Sequence, residues 1–509
     1  MSGGEASGPL EVVILGGGTA GWMCAAGLVR HLDPRDYRIT LVESDEIGTV
    51  GVGEATLPHI KRFNDGLGID EAEFMAETRA TFKLGIEFRD WGRLGDSYIH
   101  PFGAFGEPWG GVAFQHHWLR LKAVGVLVRP LEAYSFAIAA ARRRAFDFPD
   151  PDPASIRSTF SYAYHFDAGR YAAFLRRWAI DRGVTRIEGR VAEVERAPQS
   201  GDVAALALAD GSRVEGDFFI DCSGFRALLI GETLGAPWED WREWLPCDRA
   251  WAVPSETAAD CTPFTRATAR EAGWTWRIPL QHRTGNGYVF STRFTDEARA
   301  RELLLSVLGE PALGEPRLLR FEAGRRSECW RGNCVAIGLA SGFLEPLEST
   351  SIYLIQAAVQ DLIALMPGRG GSDPRLIAEF NRLTALQYDR IRDFLVLHYA
   401  ANRRTGQPLW DHVRTMKLPD SLAEKIALFE ARGAVPDYRL GLFSPDSWLA
   451  VLAGQGLVPR AYDPLADTLP LDTVADRMAD FAGRIDAAVA TMPDHAAFLR
   501  GYCPAEVAA

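Results

Sequence analysis

The chain has 509 residues, of which 47% are hydrophobic and 24% charged, and its formal net charge is −12. That is ordinary composition for a soluble globular protein, and the acidic balance argues against nucleic acid as a partner, because phosphate binding needs a basic face. Seven scattered cysteines without a C-x-x-C pair make a zinc site or disulfide framework unexpected, so a metal-free, reduced, cytoplasmic chain is the expectation.

The first ten residues carry no basic stretch followed by an apolar run, so no signal peptide is expected. No window reaches the ~18 apolar residues that would span a bilayer. Residues 11–15 (EVVIL) are a short β-branched apolar run and predict a buried strand. A helix is expected over 20–32 and a second strand over 38–43, which makes a βαβ unit with a parallel sheet. Helical spacing returns over 167–184. Residues 187–196 and 203–219 then alternate as strands, with Asp210-Gly211 as a hairpin signal, and 218–221 reads as a buried strand. The nucleotide-binding elements are therefore split, and the Trp-, Phe- and Pro-rich stretch between them is expected to form an inserted substrate-side module. After residue 350 the pattern is helical over 351–366, 373–402, 421–432 and 473–492.

Gly16, Gly17, Gly18, Thr19, Ala20 and Gly21 fit G-x-G-x-x-G. The pattern alone is weak, but here it follows a strand, opens a helix and has Glu43 at the end of the next strand. Gly16 permits the tight turn, Gly18 lets backbone approach a pyrophosphate, and Gly21 allows close helix–strand packing. The helix N-terminus then faces the phosphates, and Glu43 is placed to accept from ribose hydroxyls. In flavoproteins a strand near residue 190 meets the adenine and a late glycine-containing segment meets the flavin; Arg190-Val191 and residues 333–339, ending at Leu339, fit those roles. A second such glycine motif for a nicotinamide is absent, which points to bound FAD and reducing power from elsewhere. The expected fold is α/β, an FAD-binding Rossmann-like fold of the glutathione-reductase type. Its FAD module would span 1–370, with inserted substrate-side segments at about 95–165 and 235–320, followed by a helical C-terminal substrate-side module over 371–509.

Five motifs then occur in order between residues 16 and 352: Gly16 through Met23 (GGGTAGWM), Gly51 through Thr56 (GVGEAT), Phe82 through Ile86 (FKLGI), Trp274 through Pro279 (WTWRIP) and Glu345 through Thr350 (EPLEST). By these the chain resembles the flavin-dependent tryptophan halogenases. The resemblance implies that reduced FAD (FADH2), with O2, turns chloride or bromide into hypohalous acid. That oxidant would travel inside the protein to Lys83 and an indole-type aromatic substrate. It also implies a separate NADH-dependent flavin reductase as partner, a monomer or homodimer, and further cofactor contacts at Glu54, Ala55 and Ile352.

Hypohalous acid is small, neutral and indiscriminate, so it must be held and aimed. Lys83 can hydrogen-bond its oxygen or form a haloamine, and an amine desolvated among apolar neighbours has a lowered pKa; the ordinary reading of a lysine is a solvated surface charge. Glu348 precedes an apolar helical run, where a carboxylate can polarise the oxidant or take the ring proton as general base, or can simply favour the helix start beside the N-cap types Ser349 and Thr350. The resemblance puts the halide on the backbone N–H groups of Thr350 and Ser351, at a helix N-terminus suited to an anion. Trp274 and Trp276 share one strand face and would wall the flavin off from the substrate, or be plain core. His100 and Phe102 resemble the segment that sandwiches an indole, and Phe443 stands where the family has tryptophan. Residues 429–452 lack the tyrosine pair that holds free tryptophan in relatives, so a simpler indole, or a larger indole-bearing molecule, is expected. A two-component flavin monooxygenase is the alternative enzyme, separated by product mass; an FAD-holding protein without activity is the non-enzymatic one.

Overall fold

The computed structural model describes residues 8–46, 53–126, 128–369, 371–435 and 441–504. Strand β1 (Leu10–Leu15), helix α1 (Thr19–His31) and strand β2 (Tyr37–Glu43) form the opening βαβ unit. β1 pairs in parallel with β2 on one side and with Phe218–Asp221 on the other. The six-stranded sheet runs Trp330–Arg331, Cys334–Ala336, Phe218–Asp221, β1, β2, Thr185–Glu188, and only its edge hairpin is antiparallel. Its inner strands are nearly continuous apolar runs because both faces of a parallel sheet are covered. The α/β, Rossmann-like class expected from the sequence is what the chain adopts.

The strand expected over 187–196 is two strands in two sheets. Thr185–Glu188 joins the parallel sheet beside β2, whereas Val191–Arg196 pairs with Val203–Leu208 in a separate three-stranded antiparallel sheet. The break falls at Gly189, whose N–H bonds the Glu43 carbonyl at 2.8 Å and where a Cβ would stand 2.7 Å from Leu208 Cδ1. Alternation of residue types reports a face, not the sheet it belongs to. The Asp210-Gly211 turn joins its strands as expected, with Ala207 opposite Arg213.

A second sheet of seven strands, from Arg317–Arg320 through Gly273–Pro279 and Thr265–Arg270 to Gly85–Arg89 and Ser97–Pro101, is antiparallel except where Thr265–Arg270 meets Gly85–Arg89. A small three-stranded sheet places Ala163–Asp167 between Gly53–Ala55 and Thr81–Lys83. The four late helices occur as Ser351–Ala364, Pro374–Ala400, Asp420–Arg432 and Leu471–Ala490. The Pro374–Ala400 helix starts where the Asp373 side chain accepts from Arg375 N–H, with proline just inside, as the N-terminal asymmetry favours. One hydrophobic cluster runs from Leu10 to Cys503 and includes residues of both sheets and of these helices. Among the described residues no helix is long and apolar enough to cross a membrane.

Candidate active site

The glycine turn has the features its sequence required. Gly16 has φ 115°, and a Cβ there would lie 2.3 Å from the Cys222 carbonyl oxygen. A Cβ on Gly21 would lie 1.8 Å from the Gly16 carbonyl oxygen, so only glycine lets α1 cross β1 this closely. Gly18, by contrast, faces open space, with no heavy atom within 4 Å of its Cβ position, and α1 begins there without a side-chain cap. The first N–H groups of the helix therefore point at a cavity, which has a volume of about 680 Å³.

Gly16, Gly17, Gly18, Thr19 and Ala20 line this cavity, and Glu43 and Val191 join them. Ala55, Leu339 and Ile352 line it as well, and the second sheet contributes Thr265, Trp274, Trp276 and Ile278. Gly21 packs beneath the turn and does not reach the lining. The Glu43 carboxylate is held by Trp22 Nε1 at 3.2 Å and by the Arg186 guanidinium, in a position to meet ribose hydroxyls. An open glycine backbone, an uncapped helix N-terminus, a fixed carboxylate and an elongated space reaching tryptophans in the second sheet fit FAD. Gly51 and Val52 lie outside the described residues, as does the side chain of Glu54.

Lys83 ends the strand Thr81–Lys83 and has no exposed surface. Pairing with Ala163 on the neighbouring strand directs its side chain inward. Nζ donates to the Thr56 carbonyl at 2.9 Å and to Ser349 Oγ at 2.8 Å, and stands 5.1 Å above the Phe102 ring. Burial pulls the amine down to about 7, opposed by the charge of Glu348. Phe82 points the other way and stacks on Phe146 at 3.8 Å, so the aromatic face nearest the amine is Phe102.

Glu348 closes a single 3-10 turn, Pro346–Glu348, and is fully buried. It makes no cap: the Ser351–Ala364 helix has Thr350 at its N-cap, with no side-chain cap bond. His100 Nδ1 donates to Oε2 at 2.8 Å, and His398 Nε2 lies 2.9 Å from Oε1. Burial alone would push this carboxyl up; His100 and then His398 outweigh it, holding the group down at about 2. Three residues earlier, Glu345 Oε2 accepts from Trp274 Nε1 at 2.7 Å and from the Tyr399 hydroxyl at 2.5 Å, and burial raises this second carboxyl to about 7. Trp274 and Trp276 sit 6.1 Å apart and both line the cavity.

Lys83 and Glu348 stand behind the cavity lining, while Ser349 belongs to the lining and touches Lys83. Ser351 also lines the cavity and Thr350 is buried beside it. On the far side, His100 lies 6.3 Å from Phe102 and 6.0 Å from Phe443, which stacks on Phe394 at 3.8 Å. Leu57, Ala163 and Leu442 pack around Phe102. Lys83, Phe102, His100, Glu348 and Phe443 thus form one chain of contacts, which Ser349 joins to the cavity that Trp274 and Trp276 also line. Sequence reasoning missed His398 and Glu345, and it named Ser349 only as an N-cap type. Glu345 had a visible signal as the first acid of EPLE; a lone histidine in a long helix had none.

A sequence profile described as tryptophan halogenase matches residues 11–471. The tryptophan 6-halogenase SttH of Streptomyces toxytricini is 38% identical over 476 residues, covering 88% of this chain and 90% of the relative. Among solved structures, Xcc4156, a flavin-dependent halogenase from Xanthomonas campestris, superposes with a TM-score of 0.94 at 48% identity over 98% of this chain and 100% of its own. BrvH, a flavin-dependent halogenase from Brevundimonas sp. BAL3, gives 0.93 at 48% identity over 97% and 99%.

Proposed function

The chain belongs to the tryptophan halogenase family and is a flavin-dependent halogenase, and from that premise we propose that it transfers chloride- or bromide-derived halogen to an aromatic carbon of an indole-type substrate through Lys83. FAD, bound as FADH2 and renewed by a separate NADH-dependent reductase, supplies with O2 the oxidation of halide to hypohalous acid. Every other role falls to groups of this protein.

The backbone N–H groups of Thr350 and Ser351 hold the halide at an uncapped helix N-terminus. Trp274, whose indole N–H is held by Glu345, and Trp276 keep the bulky substrate away from the flavin while a small neutral oxidant passes at Ser349. A neutral Lys83 amine has two N–H groups and one lone pair. Its bonds to Thr56 O and Ser349 Oγ use both donors and leave the lone pair to attack the halogen of hypohalous acid; the oxygen–halogen bond breaks, the departing hydroxide takes one amine proton and leaves as water, and a haloamine remains. The ring carbon then attacks that halogen as the nitrogen–halogen bond breaks; the ring proton leaves to the Glu348 carboxylate, which His100 and His398 keep ionised, and a proton passed from Glu348 restores the Lys83 amine. His100, Phe102 and Phe443 grip the indole faces. Their aromatic and aliphatic surroundings favour an indole without a charged amino-acid end over free tryptophan.

The observation that carries this reading is a fully buried Lys83 amine bonded to Ser349, a residue of the FAD-shaped cavity wall. The test is protein with FAD, NADH, a flavin reductase and air, plus bromide or chloride, against a panel of indoles, read by mass spectrometry. A halogen isotope pattern that disappears with Lys83→Met is the expected result; a gain of oxygen alone, or product undiminished by the substitution, overturns it.

A further inference from the structure

The C-terminal turn of the Pro374–Ala400 helix places two adjacent residues on two carboxylates. His398 meets Glu348, and Tyr399 meets Glu345. Successive residues on a helix point about 100° apart, yet each of these finds an acid of the same EPLE segment. Tyr399 is bonded as a neutral hydroxyl. His398 raises a proton-inventory question that its surroundings answer.

Both ring nitrogens of His398 face oxygen acceptors. Nδ1 lies 2.8 Å from the Phe394 carbonyl oxygen. A carbonyl only accepts, so Nδ1 carries a hydrogen. Nε2 lies 2.9 Å from Glu348 Oε1. The N–H direction is off the line to Oε1, which makes this an ion-pair contact more than a directed hydrogen bond. A neutral ring would instead set the partly negative, bare Nε2 at 2.9 Å from an ionised carboxylate oxygen, which is electrostatically unfavourable wherever the lone pair points. The ring has no exposed surface, so water does not relieve the clash. The remaining walls are the rings of Phe88 at 4.7 Å and Trp91 at 6.0 Å, and Gln455, which donates to the His398 backbone carbonyl.

We infer that His398 is a positioning residue for Glu348, a buried imidazolium whose charge keeps the Glu348 carboxylate ionised and whose ring, pinned to the Phe394 carbonyl, fixes where Oε1 lies. His100 then bonds Oε2 from the substrate side, so the carboxylate is held at both oxygens. This rests on the proposed role of Glu348 as the acceptor of the ring proton. The groups facing the carboxylate are His100, His398, Lys83 and the Tyr98 phenol; of these His398 is the one with both ring nitrogens committed to oxygen.

Two measurements test the assignment. The first needs no turnover: the protein labelled with 15N in its histidine rings, without FAD, is read by NMR at pH 7.5, and the His398 signals are identified by their loss in His398→Gln. Both nitrogens in the protonated range are expected; one nitrogen carrying a lone pair overturns the inference. The second is the pH profile of brominated indole formed in a single turnover, with photoreduced FAD mixed into aerated bromide buffer between pH 5.5 and 9. Loss of a buried cation raises the proton affinity of both Glu348 and Lys83, so the acid limb moves up by about one pH unit or more in His398→Leu. The shift is smaller in His398→Gln, which keeps a donor but not the charge. A uniform fall in rate with an unmoved limb in both variants overturns the inference and leaves a packing role. Should His398→Leu fail to fold, His398→Gln and the NMR signals still decide. If the unaltered protein makes no halogenated product, the function proposed above fails while the NMR result stands on its own.

Discussion

His100 Nδ1 stands 2.8 Å from Glu348 Oε2, and the same imidazole lies within 6.3 Å of both Phe102 and Phe443. One ring therefore contacts both the rings proposed to hold the substrate and the carboxylate proposed to take its proton. Glu348→Gln keeps the shape but cannot take a proton, and it should lower kcat by about 100- to 10,000-fold, the usual range for general-base loss. FAD binding, followed by flavin fluorescence, should be unchanged. His100→Phe keeps an aromatic face and removes the N–H, so it should lower kcat more than it raises KM; the reverse split would mean that His100 serves the indole alone.

Lys83→Met should abolish product and stabilise the protein. The folded amine sits at about 7, against an unfolded value of about 10.4. Between those values the unfolded chain holds a proton that the folded one has shed. Lys83 thus costs stability, in full below about pH 7, and the cost shrinks as pH rises toward about 10. The FAD-free variant should melt a few degrees above the unaltered protein at pH 7, with the gap narrowing by pH 9. A variant that melts lower at pH 7 would mean that the buried amine is a net stabiliser.

Glu345 has the opposite linkage. Burial raises its folded carboxyl to about 7 from an unfolded value of about 4.3. Its favourable protonated state is fully present below the unfolded value and is lost as pH rises through about 7. Glu345→Gln retains an acceptor for Trp274 and has nothing to ionise. Its melting temperature relative to the unaltered protein should therefore climb between pH 5 and pH 8. A pH-independent difference would mean that the bonds from Trp274 and Tyr399 offset the effect of burial on the carboxyl.

Substrate preference is tested at Phe443, stacked on Phe394 and facing His100. Phe443→Ala removes one wall of the compartment, and KM for indole should rise by roughly 10-fold, in line with loss of an aromatic contact, while the halide dependence stays put. Indole should be turned over with a higher kcat/KM than free tryptophan. The opposite order by competition assay would require polar anchors for the amino-acid end.

Much of this site was legible because its motifs are local. The glycine turn, the W-x-W strand and EPLEST are each contiguous, and their context in the chain identifies them. What stayed hidden depends on folding. Lys83 and Ser349 are 266 residues apart and meet only through packing of a three-stranded sheet against a helix N-terminus. His398 lies in the last turn of a 27-residue helix whose pattern there reads as core, and nothing nearby marks it as a partner of Glu348. The division at Gly189 was invisible for a similar reason: one alternating run served two sheets.

Ser349 has φ 60°, a left-handed backbone in a residue that is not glycine. Such a conformation costs of order 1 kcal/mol for a residue with a Cβ, and glycine would relax it. Stabilisation schemes that put glycine at left-handed positions would therefore select this site and gain melting temperature there. They would also delete the hydroxyl that reaches from the cavity wall to the amine, so a hardier protein would be a disconnected one.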